Sequence, residues 1–317
     1  MSRLKLLVTG ANGFVGSALC TEAVARGMAV RGAVRKECEL PVGAERQVFD
    51  GFDDRFNLRS ALCGVTVVIH AAARAHVLRE PSADPLSEFR KVNVQGTLDL
   101  AKQAAAAGVR RFVFISSIGV NGAETFAQPY SAADEPKQQS AYAVSKYEAE
   151  LRLQALATQT GMEVVIVRPP LVYGPGAPGN FGSLMRWLKR GAPLPLGAVS
   201  RNRRSLVALD NLVDLLITCI DHPAAANQTF LVSDGEDLST ADLLRRLGEA
   251  MNKPARLFPV PSSLLQLGAN LLGKGDMAQR LLGNLQVDIS HTRNTLNWSP
   301  PISVDEGLRR AVAGLTP

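Results

Sequence analysis

The sequence predicts an α/β protein: a doubly wound, parallel, Rossmann-like sheet with a smaller, mostly helical C-terminal lobe. Two observations carry this prediction. In the first half of the chain, short runs rich in valine and isoleucine alternate with helix-length segments, a pattern typical of a parallel sheet covered on both faces. After Arg168-Pro169-Pro170 the composition changes: residues 171–205 are rich in glycine and proline, and mainly helical segments follow. We therefore expect one domain over residues 1–170 and a second over residues 171–317.

The elements follow in chain order from apolar runs and helical periodicity. The predicted strands of the first half are Leu4–Thr9, Ala29–Val34, Arg46–Phe49, Val65–His70, Arg111–Ser117 and Met162–Val167. The helices between them are Phe14–Arg26, Asn57–Leu62, Leu86–Ala107 and Ser140–Thr160. The lobe is predicted to hold helices Phe181–Arg190, Asp210–Asp221, Ser239–Met251, Ser262–Leu282 and Val304–Ala313. Ser239 is expected to cap its helix, and a short strand, Thr229–Val232, to return to the main sheet.

Composition narrows the class of protein. The chain has 317 residues, 46% apolar and 20% charged, as in an ordinary globular protein. Its formal charge is +6, but the basic residues look scattered and do not alternate with aromatics, so we expect an anionic small ligand rather than nucleic acid. The four cysteines lack metal-like spacing, which predicts free thiols, no metal and a cytoplasmic location. The sequence contains no run of 18 apolar residues, so no membrane-spanning segment is predicted. The apolar segment 264–273 is expected to pack within the lobe or at a subunit contact.

A glycine-rich turn follows the first predicted strand. Gly10, Gly13 and Gly16 stand where that strand gives way to a helix. Gly10 permits the tight turn, Gly13 lets a pyrophosphate approach the backbone, and Gly16 lets the helix pack on the strand. The backbone N–H groups of Phe14 and Val15 would contact the same phosphates. The turn predicts a dinucleotide site.

Tyr142 and Lys146 are four residues apart, so a helix places both on one face. A cation beside a phenol favours the phenolate, which predicts a lowered pKa and an acid or base usable near neutrality. Together with a dinucleotide pocket, this pair predicts hydride chemistry at a C–OH/C=O carbon.

Seven motifs in order make the chain resemble the extended short-chain dehydrogenase/reductase family, in particular its sugar-nucleotide epimerases and reductases. The motifs are Thr9–Gly16, His70–Ala73, Asn93–Thr97, Phe112–Ser117, Tyr142–Lys146, Arg168–Pro175 and Arg204–Asp210. The resemblance implies that residues 1–170 bind the dinucleotide and that residues 171–317 bind the substrate. It also implies that Ser117, with Ser116 as the neighbouring alternative, hydrogen-bonds the reacting oxygen, while Tyr142 transfers its proton and Lys146 binds the nicotinamide ribose.

The cofactor is expected to be NADP, with NAD possible. Arg35 and Lys36 follow the second strand, where an arginine accommodates a 2′-phosphate and an acidic residue would hold the ribose of NAD. The resemblance implies that Asp50 reaches the adenine and that Asn93 mainly supports the active-site backbone. The other cofactor-contacting residues that it implies are Asn12, Gly51, Ala71, Ala72, Ala73, Pro169 and Val172.

The resemblance further implies a UDP-sugar substrate bound by Tyr173, Asn180, Arg204 and Arg280, although the usual Arg-x-Gly-Asp pattern near residue 280 is altered here. The altered pattern favours a reductase acting at C4 of a 4-keto UDP-hexosamine in O-antigen sugar synthesis. A UDP-sugar 4-epimerase is the main alternative. A reductase for lipophilic alcohols or ketones, resembling hydroxysteroid enzymes, and a non-catalytic dinucleotide sensor are the others. Helices Leu86–Ala107 and Ser140–Thr160 would form the interface of a homodimer.

Overall fold

A seven-stranded parallel sheet forms the centre of the protein. The structure, a computed structural model, describes residues 4–49, 58–75 and 84–314. The sheet strands are β1 (Lys5–Thr9), β2 (Ala29–Val34), β3 (Ala44–Val48), β4 (Val67–His70), β5 (Arg111–Ile115), β6 (Glu163–Arg168) and β9 (Thr229–Leu231). Their order is β3-β2-β1-β4-β5-β6-β9. The order reverses beside β1, whose Thr9 pairs with Ala33 of β2 on one side and with His70 of β4 on the other. The crevice at the carboxyl ends of β1 and β4 is thus the position where such sheets bind ligands.

Helices cover both faces of this sheet, as the sequence predicts. One face carries α1 (Phe14–Ala25) and α7 (Leu209–Asp221), and the other carries α2 (Arg59–Leu62), α4 (Thr97–Ala106) and α5 (Ala141–Thr160). Alternate strand residues enter the two cores: Leu6 and Val8 lie under α1 and α7, whereas Leu7 packs on the opposite side. Strands β1, β2, β4, β5 and β6 are largely buried on both faces, which explains their mainly apolar sequences, whereas the edge strand β3 is polar and partly exposed.

The predicted helix Leu86–Ala107 is divided in the structure. It comprises α3 (Pro85–Phe89), a π-helical segment (Arg90–Gly96) and α4. The π-helical segment buries Asn93, whose side chain bonds to neighbouring backbone. Such a local widening of a helix often accompanies a functional site.

The second half of the chain builds a separate core around a three-stranded sheet, in the order β10 (Asp237–Leu238), β8 (Arg204–Ala208) and β7 (Leu171–Tyr173). Its helices are α6 (Gly179–Lys189), α8 (Thr240–Ala250), α9 (Ser262–Leu271), α10 (Gly275–Leu282), α11 (Ser290–Leu296) and α12 (Val304–Ala313). Ser239 caps α8 as predicted, because its Oγ accepts a hydrogen bond from the Asp242 N–H at 3.0 Å.

The two halves are interleaved rather than divided at residue 171. The predicted returning strand is confirmed, since β9 pairs in parallel with β6. Helix α7 also packs against α1 on the main sheet. Residues of the second half thus complete the first core. In the described ranges, no helix combines the length and the apolar character needed to cross a bilayer.

Candidate active site

The glycine turn between β1 and α1 is closed so tightly that side chains are excluded from it. Gly10 has a φ of +65°, and a Cβ there would lie 2.9 Å from the Ala72 nitrogen. A Cβ on Gly16 would lie 2.1 Å from the Gly10 carbonyl oxygen. The N–H of Gly13 donates to that same oxygen at 2.8 Å. These contacts explain the spacing of the three glycines.

The N-terminus of α1 has the properties of an anion site. Gly13 caps the helix without a side-chain hydrogen bond, and no acidic residue occupies the first turn. The N–H groups of Phe14, Val15 and Gly16 have no acceptor within the helix. Asn12 and Gly13 are exposed beside them. This cradle, which a Cβ would fill, fits the diphosphate of a dinucleotide.

The ends of the neighbouring strands border the same crevice. Ala71 and Ala72 are half-buried, Ala73 is exposed, and the Ala72 N–H donates to Thr9 Oγ1 at 3.2 Å. Arg35 and Lys36 are exposed directly after β2. Asp50 and Gly51 lie outside the described residues.

Asn93 fixes the backbone beside these alanines. Its Oδ1 accepts from the Arg74 N–H at 2.8 Å, and its Nδ2 donates to the Arg74 carbonyl at 3.1 Å and to Ser145 Oγ at 3.0 Å. The side chain is 1% exposed. The supporting role implied by the resemblance thus agrees with the geometry. A direct contact of this side chain with the cofactor does not, because its polar atoms are already bonded to protein.

The three predicted catalytic residues lie where β5 ends and α5 begins. Ser117 Oγ accepts from the Gly119 N–H at 3.1 Å, and Gly119 separates this hydroxyl from Ala143, the neighbour of Tyr142. Lys146 Nζ lies 6.0 Å from the centre of the Tyr142 ring. The fold therefore gathers a hydroxyl, a phenol and an amine at the carboxyl edge of the main sheet.

The electrostatics of the pair differ from the expectation. Burial raises the pKa of Tyr142 to about 12, whereas a value lowered by Lys146 was predicted. Lys146 Nζ donates to the Ile115 carbonyl at 2.8 Å and lies 4.4 Å from the centre of the Phe114 ring, so its charge is not directed at the phenol oxygen. Burial lowers the pKa of Lys146 to about 7, and the Glu150 charge opposes this shift. Loss of water dominates both groups, because neither has a fully compensating partner in this structure.

Ser116 does not face the substrate side. Its buried hydroxyl donates to Glu150, which also forms an ion pair with Arg168. Arg168 Nη1 in turn donates to Asn121 Oδ1 at 3.0 Å. The hydroxyl of Ser116 therefore points away from that of Ser117, because successive residues of an extended chain point to opposite sides, and the substrate contact of Ser116 remains a prediction without a supporting contact. The network holds the end of β6 against α5.

Tyr173 also lies outside the site that the sequence assigned to it. The residue is fully buried, and its hydroxyl donates to Asp234 Oδ2 at 2.7 Å and lies 3.2 Å from the Val304 carbonyl oxygen. Burial, reinforced by Asp234, raises the pKa of this hydroxyl. Tyr173 is thus a core residue of the second half, and the substrate contact predicted for it remains a prediction that this burial does not support. Of the preceding residues, Pro169 accepts the Ile118 N–H at 3.0 Å beside Ser117, and Val172 is half-buried.

Two arginines predicted to hold a diphosphate lie within electrostatic range of each other in the second half. Arg204, half-buried at the start of β8, donates to the Gly283 carbonyl at 3.2 Å. Burial and the positive charge of Arg280 lower the pKa of Arg204 to about 10, against the attraction of Glu124. Glu124 and Gly283 line an adjoining cavity of about 360 Å³. Two neighbouring guanidinium groups repel each other, and an anion between them would relieve that repulsion. The backbone of Asn180 lies in the first turn of α6.

His70 is buried in the site, and the sequence motifs predict no function for it. Its Nδ1 lies 2.7 Å from Thr9 Oγ1 and its Nε2 lies 2.9 Å from Thr97 Oγ1, so the ring connects β1 with α4. Burial, with a contribution from Lys146, lowers the pKa of His70 to about 3. The imidazole is therefore neutral in the folded protein at ordinary pH.

This burial predicts a pH dependence of stability. The folded pKa of His70 lies below its unfolded value, so between about pH 6.5 and 3 only the unfolded chain binds the proton. Stability contributed by neutral His70 is complete above pH 6.5 and falls with decreasing pH, by about 2 kcal/mol at pH 5. Urea unfolding of the wild type and of His70→Asn at pH 7.5 and pH 5 measures the effect. An equal pH dependence in both proteins would contradict it.

The sequence holds one signal for the buried network that motif reading misses. Tyr142, Lys146 and Glu150 are spaced by four, so they share one face of α5, and the third of them is a carboxylate that is 1% exposed. A carboxylate on the buried face of a helix indicates a buried cation, and here the cation is Arg168. The sequence alone does not show that this cation is Arg168, because Glu150 lies on α5 and Arg168 on β6.

Comparisons with known proteins identify the family of this chain. The model of the NAD dependent epimerase/dehydratase family matches residues 6–233. The chain is 48% identical over 307 residues to a UDP-glucose 4-epimerase of Vibrio cholerae, covering 96% of this chain and 93% of the relative. The fold is similar to that of UDP-glucose 4-epimerase from Thermotoga maritima (TM-score 0.80, 23% identity, 98% of each chain). It is also similar to that of UDP-glucuronic acid 4-epimerase from Bacillus cereus (TM-score 0.78, 21% identity, 98% of this chain and 96% of that one).

The family match covers more than half of the chain, and it includes the glycine turn, the Ser117–Tyr142–Lys146 group and β9. It agrees with the extended short-chain dehydrogenase/reductase resemblance. The protein is an enzyme and belongs to the NAD dependent epimerase/dehydratase family.

Proposed function

We propose that the protein is an NAD(P)-dependent 4-epimerase of UDP-hexoses or UDP-N-acetylhexosamines. The observation that carries the choice of reaction is the 48% identity to a UDP-glucose 4-epimerase over nearly the whole length of both chains. Sequence analysis favours a 4-keto reductase and keeps the epimerase as its alternative. The altered pattern at Arg280 no longer argues for the reductase, because Arg280 lies close enough to Arg204 to depress its pKa.

Arg204 and Arg280 support a nucleotide diphosphate as the ligand. Among the described residues, one hydrogen bond holds the Arg204 guanidinium, to the Gly283 carbonyl, which leaves donors for an anion. Arg280 is exposed in the last turn of α10. Planar guanidinium groups suit diphosphate oxygens.

The chemistry assigned to this chain's own residues is proton transfer and positioning. When bound, the nicotinamide supplies the acceptance and return of a hydride at a sugar carbon. Burial raises the pKa of Tyr142 to about 12, so its phenol carries a proton at neutral pH. We assign Tyr142 to proton transfer at the sugar O4. Ser117 orients that oxygen, and Lys146, one helical turn from Tyr142, is assigned to the nicotinamide ribose. Thr9 and Asn93 keep the backbone of residues 72–74 in place through the bonds described above.

Stoichiometry distinguishes the epimerase from the reductase. An epimerase restores its cofactor in each cycle, so purified protein should interconvert UDP-glucose with UDP-galactose, or UDP-GlcNAc with UDP-GalNAc, without net consumption of NADH or NADPH. Product ratios by anion-exchange chromatography and absorbance at 340 nm would be followed together. Oxidation of one reduced cofactor per molecule of a UDP-4-keto-6-deoxyhexosamine, with no interconversion of either pair, would support the reductase instead.

Arg35 is expected to decide between the two nicotinamide cofactors. Arg35→Ala should weaken NADP⁺ binding by about 1.5–3 kcal/mol, the contribution of a hydrogen bond to a charged group, and leave NAD⁺ binding nearly unchanged. Glu37 forms an ion pair with Arg46 at 2.6 Å, so it does not neutralise this position. Calorimetric titration of both dinucleotides checks the result. Equal losses for NAD⁺ and NADP⁺ would show that Arg35 does not contact the 2′-phosphate.

Arg204 is expected to carry much of the affinity for the nucleotide. Arg204→Ala should weaken UDP binding by roughly 10- to 100-fold, because it removes charge-assisted hydrogen bonds to the diphosphate. Arg203→Ala is the matched control, since Arg203 is exposed and its Nη1 donates to the Ser200 and Asn202 carbonyls. Thermal melts should show both variants folded. Unchanged UDP affinity in folded Arg204→Ala would exclude the assignment.

We also propose a cytoplasmic homodimer formed through α4 and α5 with the preceding π-helical segment. Val92 and Leu151 are exposed apolar side chains on these elements. Leu151→Asp should shift the sedimentation coefficient from dimer to monomer. A monomeric wild type would exclude this interface.

A further inference from the structure

The excess positive charge of this protein is concentrated in two segments, although the basic residues look scattered in the sequence. Residues 171–209 and 250–282 together contain ten lysines and arginines and one acidic residue, Asp276. The rest of the chain contains 25 basic and 28 acidic residues. The two segments thus account for the whole net charge of +6.

The fold brings these two segments together. Leu194 and Leu257 form a β-bridge, and the Gly197 N–H donates to the Phe258 carbonyl at 3.1 Å. Lys253 Nζ donates to the Lys189 carbonyl at 2.6 Å, a neutral acceptor that does not compensate its charge. The basic side chains exposed on this surface are Arg186, Lys189, Arg190, Lys253, Arg256 and Lys274.

Large apolar side chains are exposed on the same two segments. On α9, Leu264, Leu267 and Leu271 are 58%, 57% and 80% exposed. They are spaced by three and four, so they form one stripe on the helix. Leu265 is directed into the lobe core instead. Trp187 and Phe258, 51% and 45% exposed, lie on α6 and on the segment before α9.

We propose that this surface, named here the α6/α9 face and defined by residues 186–190, 253–258 and 264–274, docks onto an anionic lipid bilayer. Leucine, tryptophan and phenylalanine side chains enter the boundary between headgroups and acyl chains, while lysine and arginine pair with anionic headgroups. Segment 264–273 was expected to pack within the lobe or at a subunit contact, because α9 by itself lacks basic residues. The structure leaves α9 without a buried residue and supplies the charge from α6 and residues 253–256.

The charge pattern favours a bilayer over a protein partner. The two segments carry ten basic residues against one acidic residue, and such an excess of positive charge together with exposed apolar side chains is typical of surfaces that bind anionic bilayers. The bilayer would lie against the second half of the chain, on the part that also carries Arg204 and Arg280. The α6/α9 face itself uses none of the proposed catalytic or cofactor-binding residues.

Sedimentation with vesicles tests the proposal on the full chain. Vesicles of phosphatidylcholine with 30% phosphatidylglycerol should bind the wild type, and pure phosphatidylcholine vesicles should bind it at least tenfold more weakly. Leu267→Glu/Leu271→Glu should reduce binding more than tenfold. Arg190→Gln/Arg256→Gln should reduce it roughly 25-fold, about fivefold for each charge near the surface. Val42→Glu is the matched control, because Val42 is 97% exposed between β2 and β3, and it should bind as the wild type does.

Three results would overturn the proposal. The first is equal binding of the wild type to charged and neutral vesicles, and the second is vesicle binding that is unchanged in both double variants. The third is a wild type that binds no vesicles, whether it binds duplex DNA instead or self-associates through residues 267 and 271. Thermal melts and NAD⁺ binding establish that each variant is folded. Because no readout uses epimerase turnover, the result is independent of the proposed function.

Discussion

Tyr142→Phe is expected to lower turnover by roughly 10² to 10⁴, the range for loss of a general acid or base. The phenol is held in the first turn of α5, and Ser140 fixes that turn by accepting the Ala143 N–H at 3.2 Å. Removing only the hydroxyl preserves the ring and its edge contact with Phe89. Dinucleotide affinity should therefore remain nearly intact while turnover falls. Steady-state rates with UDP-glucose or UDP-GlcNAc, with fluorescence titration of the dinucleotide, measure the two effects.

Tyr147→Phe is the control for this variant. Tyr147 is the next tyrosine along the same helix, but Leu151 stands four residues after it, so it has no lysine neighbour in the next turn. Its loss of a hydroxyl should leave turnover within a few-fold of the wild type. Near-normal turnover in Tyr142→Phe would eliminate the proposed mechanism, whatever the sugar.

Glu150→Gln is expected to lower the free energy of unfolding by about 3–5 kcal/mol, because it leaves the buried charge of Arg168 uncompensated. Glu150 and Arg168 are 1% and 5% exposed, and two hydrogen bonds of 3.0 and 2.5 Å join them. Ser116 would lose its charged acceptor as well. Urea unfolding followed by circular dichroism measures the change.

Glu148→Gln is the matched control, two residues away on the same helix. Glu148 pairs with Arg90 at the surface, and exposed ion pairs contribute about 0–1 kcal/mol. Replacing both members of the buried pair, as in Glu150→Gln/Arg168→Leu, should recover part of the stability, since no charge is then left buried. If Glu150→Gln cost no more than Glu148→Gln, the buried network would not stabilise the fold.

Much of the fold could be predicted from local sequence. Strands buried on both faces must be apolar throughout, so β1, β2, β5 and β6 are visible as valine- and isoleucine-rich runs. The helix over residues 304–313 was predicted with the bounds that the structure gives it. Strands β7, β8 and β10 were missed, and β7 and β10 are only three and two residues long. The strands that pair with them are distant in sequence, and no local periodicity predicts these three strands.

Some features of the candidate site could likewise be predicted from the sequence, and others could not. Short-range constraints determine the glycine turn and the four-residue spacing of Tyr142 and Lys146, so these features are readable from the chain alone. The directions of side chains could not be read from the chain alone: Ser116 points to Glu150, and Tyr173 enters a core. Which side of a strand end meets the cleft depends on elements packed against it from elsewhere in the chain.

The sequence by itself determined the class of fold, the glycine turn and the four-residue spacing of Tyr142 and Lys146, because hydrophobic patterning and backbone geometry within a few residues impose them. Only the tertiary structure decided the sign of the Tyr142 pKa shift, the partner of Glu150 and the exposure of α9. Each of these depends on which groups exclude water from a side chain. Most of those groups belong to elements that are remote in sequence and adjacent only after folding.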